Sequence, residues 1–121
     1  MEKHKIWEFN GEETAIDLFD VENMERYEEA TIELNKRQAE DRANLKPSER
    51  LKAQCEDYFI FFNKTFGDET ASKRIFKGKK NVSECIEAYY GFLIFVAEQS
   101  EAEKARLAEI RKKYTQERIK K

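Results

Sequence analysis

The side chains best equipped for chemistry in this 121-residue sequence are one histidine, two cysteines and several carboxylate pairs. A structural zinc site takes about four His or Cys ligands, and Ser-His or Cys-His catalysis needs an imidazole beside its nucleophile. His4 is the only imidazole and stands near the first residue, so neither arrangement can be composed from this chain. The Glu-x-x-His pattern of helical di-iron proteins is excluded for the same reason. His4 is expected to be a free surface residue. Cys55 and Cys85 lie among apolar neighbours in helical patterns, as reduced, buried thiols of a cytosolic protein do. Glu12-Glu13 and Glu28-Glu29 are adjacent in sequence. On a helix such neighbours diverge by about 100°, whereas acid–base work needs two carboxylates converging on one pocket. Gly78-Lys79-Lys80 lacks the upstream glycine and trailing hydroxyl residue of a phosphate loop. No catalytic residue, metal ligand or cofactor is predicted, and the chain reads as non-enzymatic.

What remains is charge. Lys and Arg number 23 against 25 Asp and Glu, a net charge of −2, and charged residues make up 40% of the chain. Near balance at that density suits helices laced with ion pairs, and four Gly with one Pro are too few for a turn-rich all-β fold. The charges are unevenly placed. Glu25, Glu29 and Glu33 recur every four residues, while Lys73, Arg74, Lys77, Lys79 and Lys80 form one basic cluster. Arg111, Lys112, Lys113, Arg118, Lys120 and Lys121 form another. Nucleic-acid binding calls for a net basic face and a reading or stacking motif; the chain is slightly acidic and shows neither, so nucleic acid is not expected. The basic tail is predicted instead to meet an acidic protein surface, such as the Glu25/Glu29/Glu33 stripe of a neighbouring copy, which makes the chain a homo-oligomer.

The elements that would position these groups are readable from periodicity. Lys5–Phe9 and Thr14–Leu18 flank Asn10-Gly11, the dipeptide that best tolerates positive φ in a tight turn, and predict a β-hairpin with Trp7, Phe9, Ile16 and Leu18 on one face. Asp20 caps a helix from Val21 to Ala43, with Met24, Tyr27, Ala30, Thr31, Leu34 and Gln38 at 3–4 spacing. Pro47 opens a second helix running to Phe66. It buries Leu51, Cys55, Tyr58, Phe59, Phe62 and Phe66 and leaves Phe61 off that face. Asp68 caps a short third helix, Glu69 to Phe76, and Asn81 with Glu84 starts a fourth at Val82. Only Gly91 interrupts helix formers from there to the end. After Ala97, Leu107, Ile110, Tyr114 and Ile119 are diluted by charge.

The predicted fold is therefore mainly α: an N-terminal β-hairpin packed on a four-helix body with a long C-terminal helix. Residues 1–97 form the hairpin and helical body, and residues 98–121 a charged C-terminal helical extension of the same domain. Partner contacts are expected at Glu25, Glu29, Glu33, Phe61, Leu107, Ile110, Arg111, Lys112 and Tyr114. No run of 18 apolar residues and no apolar stretch after Met1-Glu2-Lys3-His4-Lys5 occurs, so neither a membrane span nor a signal peptide is expected, and the location is cytoplasmic.

Three stretches carry a resemblance. Trp7-Glu8-Phe9-Asn10-Gly11-Glu12 opens onto Asp17-Leu18-Phe19-Asp20 and the helix Met24-Glu25-Arg26-Tyr27-Glu28-Glu29-Ala30. Phe62-Asn63-Lys64-Thr65-Phe66-Gly67 leads into Ala71-Ser72-Lys73-Arg74-Ile75-Phe76-Lys77-Gly78-Lys79-Lys80-Asn81. A long helix with Ala88-Tyr89-Tyr90-Gly91-Phe92 follows. Together they resemble small proteins encoded among the tail genes of phages and prophages of Gram-positive bacteria, some of them tail assembly chaperones. The similarity touches most of residues 5 to 97, and its motifs are a turn, caps and aromatic positions. The resemblance implies a non-enzymatic protein of the bacterial host cytoplasm that coats the tape-measure protein, keeps it soluble and helps recruit tail-tube subunits. The alternative is a small phage-encoded inhibitor or regulator that binds a host protein through charged surfaces.

Overall fold

The computed structural model describes residues 3–120, with side chains described for 4–116. After a single 3-10 turn, β1 (Ile6–Phe9) and β2 (Glu12–Ala15) pair antiparallel, Trp7 opposite Thr14 and Phe9 opposite Glu12. Asn10 and Gly11 both take positive φ, 53° and 77°, the geometry whose twist matches the flanking strands. Four helices follow: α1 (Val21–Gln38), α2 (Pro47–Phe66), α3 (Ala71–Phe76) and α4 (Val82–Lys120). The fold is mainly helical with an N-terminal hairpin and a long last helix, as the periodicity predicts. At 1.5 Å per residue, the 39 residues of α4 span roughly 58 Å.

Local chemistry explains most boundaries. Asp20 accepts from Glu22 N–H at 3.0 Å to start α1. Lys46 is extended (ψ 155°) before Pro47, and its N–H reaches Glu49 at 2.8 Å. Asn81 accepts from Glu84 N–H at 3.0 Å to start α4. Two helix boundaries differ from expectation, and the return strand is Glu12–Ala15 rather than Thr14–Leu18, because the two-residue Asn10-Gly11 turn starts the pairing at Glu12. α1 stops at Gln38 rather than Ala43, because Arg42 turns back: its guanidinium donates to Arg37 C=O at 2.9 Å and grips Asp57 through both carboxylate oxygens, at 2.8 and 2.9 Å. Arg37 adds a third contact to Asp57 at 3.1 Å. Asp57 is buried, so these two arginines neutralise a carboxylate inside the α1–α2 packing. α3 starts at Ala71 rather than Glu69, with Asp68 accepting from Thr70 N–H at 2.9 Å instead of capping the helix directly.

The core is aromatic. Trp7 stacks on Phe62 (5.3 Å, 11°) and takes Phe92 edge-on (5.3 Å, 84°). Phe61, fully buried, packs edge-on against Tyr27, Phe62, Tyr89 and Phe92. Leu51, expected inside, is exposed at the first turns of α2.

The hairpin is tied down at both ends. At its tip Asn10 donates to Glu84 (3.3 Å) and Glu12 pairs with Arg74 (2.9 Å). At its base the buried Gln99 of α4 accepts from Leu18 N–H at 2.7 Å and donates to the carbonyls of His4 and Ile16, each at 2.8 Å. His4 is thus not a free surface residue: its Nε2 lies 3.4 Å from Glu103, itself buried. Gln99 and Glu103, in the first turns of the expected C-terminal extension, are thus buried against the hairpin.

Gln99→Ala strands a buried N–H and two carbonyls, each a donor or acceptor left without a partner. We expect a loss of about 3 kcal/mol in urea unfolding, with faster exchange at the Leu18 amide than at α2 amides. Gly91 has the opposite character. A Cβ built there meets nothing within 4 Å, so Gly91→Ala should raise stability by about 1 kcal/mol in the same measurement.

Candidate protein-binding surface

The face of α4 that lies inside the body runs through Cys85, Ala88, Phe92, Gln99 and Glu103, all buried. Continuing in helical steps, the next residues on that face are Leu107, Ile110 and Tyr114. Leu107 and Ile110 are half-buried and Tyr114 is 62% exposed. From Glu103 to Lys120 the helix extends by about 25 Å, carrying this apolar stripe beyond the last buried side chain. Arg111 lies beside the stripe and Lys112 on the opposite side of the helix, and both are exposed. The side chains of Arg118, Lys120 and Lys121, also assigned to the basic tail, lie outside those described.

Glu25 and Glu29 are exposed on α1, and Glu33 is half-buried. Glu29 comes within 3.9 Å of Lys64 across to α2, an exposed pair of small energetic weight. Ile32 lies exposed along one edge of this acidic stripe. Among the described residues no ion pair joins these acids to Arg111 or Lys112 within the chain, leaving both patches open to other molecules.

Phe61 does not belong with them. Its α2 neighbours are apolar nearly all round the helix, and α1 and α4 close over the side that the spacing alone would leave bare. It is 1% exposed and supports the core rather than a partner. Spacing also misses a second apolar line on α4: Ile86, Tyr90 and Ile94, four residues apart and 38%, 59% and 61% exposed. Their regular step was visible, but a helix with apolar residues on several sides does not announce which side faces out.

The cysteines are free thiols, buried against each other between α2 and α4. Burial pushes the Cys85 thiol up to about 12, with neighbouring Cys55 adding to the effect, and burial also raises Cys55. Both stay protonated, which suits packing and not nucleophilic attack. Among the described residues no three His, Cys, Asp or Glu side chains gather as a metal cluster, and no helix is long and apolar enough to cross a membrane.

In the basic cluster around α3, Arg74 is already engaged by Glu12 and Asp68. The Asp68 carboxyl is held down to about 2, first by the N–H and hydroxyl of Thr70 and then by Arg74. Because its folded value is depressed, ionised Asp68 stabilises the fold above about pH 4, where the unfolded side chain is also ionised, and this contribution fades between about pH 4 and pH 2. Asp68→Asn should therefore be less stable than the parent at pH 6, with the gap closing as acid unfolding is followed down to pH 2.

These features define a class by shape: a hairpin-capped helical body from which one charged helix with an apolar stripe continues outward. The chain belongs to a family of unknown function, DUF6673, which matches residues 10–121. No curated protein and no solved structure matches the chain.

Proposed function

We propose that this is a non-enzymatic assembly chaperone of the phage-tail type, which binds a tape-measure protein, keeps it in solution and helps recruit tail-tube subunits in the cytoplasm of a bacterial host. One observation carries the reading. The buried face of α4 continues past the body as Leu107, Ile110 and Tyr114, and Tyr114 is left exposed. An isolated helix turn with an exposed apolar stripe gains stability by packing on another helix. A long helical client or the α4 of a second copy offers such a face. Charge supports association between copies: Arg111 beside the stripe complements the exposed Glu25 and Glu29 of α1. The resemblance to tail-region proteins supplies the client, and the scarcity of His and Cys argues for binding over catalysis.

The test separates the extension from the body. A chain ending at Arg106 keeps Gln99 and Glu103, and hence the hairpin, while removing the stripe. We expect the full chain to form oligomers by light scattering and to bring a co-expressed tape-measure fragment into the soluble fraction, and the shortened chain to be a folded monomer that does neither. A strictly monomeric full chain that leaves the fragment insoluble would remove the proposal.

A further inference from the structure

Among the described residues, one edge of β1 is unpaired. Ile16 N–H donates to Lys5 C=O at 2.8 Å, and the register places Trp7 opposite Thr14. By the alternation of an antiparallel ladder, Lys5, Trp7 and Phe9 bond to β2, so the peptide groups of Ile6 and Glu8 point the other way. Along that edge runs a groove of about 560 Å³, touched by all four β1 residues and by no residue of β2. Ile6 and Glu8 project from one face of the strand and Trp7 and Phe9 from the other, so a groove touching all four follows the edge itself. Its floor is one stripe of α4: Gly91, Phe95, Glu98 and Ala102.

Gly91 lowers the stability of α4, yet the packing does not require it, since a side chain there would enter open space. What its missing side chain does is keep the floor low beside an open strand edge, where another backbone could approach. From Gly91 to Ala102 the helix rises about 16 Å, which matches five residues of an extended strand. Among the described residues the groove lining carries the carboxylates of Glu8 and Glu98, the imidazole of His4 and no lysine or arginine.

We infer that this groove receives an extended, basic segment of a partner protein, added to β1 as a third strand. The outward N–H and C=O groups of Ile6 and Glu8 bond its backbone. Phe95 packs against the apolar residues that face α4, Glu8 selects lysine or arginine at the alternate positions that face away from it, and Glu98 adds negative charge at the floor. A second copy's β1 fits poorly, because pairing two such edges gathers Glu8 and Glu98 of both chains. The groove lies on the hairpin side of α4 and is independent of the stripe beyond Glu103, so a chain ending at Arg106 should still bind here even where assembly fails.

Titration of the isotope-labelled full chain with an acetylated and amidated peptide, Lys-Val-Lys-Val-Lys, tests this by amide chemical shifts. We expect saturable shifts centred on Ile6 and Glu8. A Glu-Val-Glu-Val-Glu peptide should bind at least about tenfold more weakly, and a basic peptide N-methylated at alternate residues should lose binding. Gly91→Leu should weaken the basic peptide about tenfold by filling the floor, and Glu8→Lys provides a second variant on the exposed edge that should erase the preference for basic over acidic peptide. The inference fails if no saturable shift occurs, if acidic and basic peptides bind alike, or if the shifts map to Leu107–Tyr114 instead. It also fails if the free chain self-associates through β1, which would assign the edge to a second copy.

Discussion

The side-chain amide of Gln99 holds the two ends of this chain together. A two-stranded hairpin is marginal in water, and this one has only four residues in each strand. Its stability comes from Trp7, which enters the aromatic core only if the backbone on either side is held at the right depth. Gln99 does that holding. Its carbonyl oxygen takes the N–H of Leu18 and its two N–H groups take the carbonyls of His4 and Ile16, so one amide satisfies backbone groups from both legs of the hairpin. The bonds to Leu18 and Ile16 are shielded from water, where an unmade bond costs more than a made one contributes, and the bond to His4 is partly so. The interaction therefore works less by adding attraction than by making any other placement of the hairpin unfavourable.

The charges divide into two populations with different tasks. Asp57 with Arg37 and Arg42, and Asp68 with Arg74 and Glu12, are turned toward backbone carbonyls, caps and loops, and they set where α1 ends and α3 begins. These account for why a chain with 40% charged residues can order short connections using a single proline. Glu25, Glu29, Arg111 and Lys112 have no such work inside the fold. Near neutrality overall thus conceals separated patches of opposite sign. Separated patches favour association with a defined orientation, whereas the same charges interspersed would favour only solubility.

The hairpin turn, three of the four helix starts and the long last helix were legible because each has a local cause: positive φ at Asn10-Gly11, a cap at Asp20 or Asn81, a proline at residue 47. What was not legible has a tertiary cause. α1 ends early because Arg42 reaches a carboxylate 15 residues later, which no local pattern encodes. Phe61 is buried because its helix is surrounded, and spacing reports one face of a helix, not how many neighbours it has. Gln99 looks like any polar residue in a charged stretch, since its value lies in three backbone groups more than 80 residues away. The apolar stripe of the extension was legible because a 3–4 spacing of Leu107, Ile110 and Tyr114 amid charge is itself local. The β1 groove was not, because an open strand edge is defined by what fails to pair with it.

One consequence follows from placing these features on a single helix. Between Val82 and Lys120 α4 has no break, so its outer part cannot reorient without bending or unwinding near the body. Phe92 and Gln99 fix its rotation about its own axis, the first against Trp7 and the second against the hairpin backbone. That rotation decides where Leu107, Ile110 and Tyr114 point, and it also sets how closely Gly91 and Phe95 lie beneath the β1 edge. A loosened hairpin would therefore disturb both surfaces at once, even though they are on different sides of Glu103. In this fold the small β element is not an appendage to the helical body: it is the reference against which the long helix is aimed.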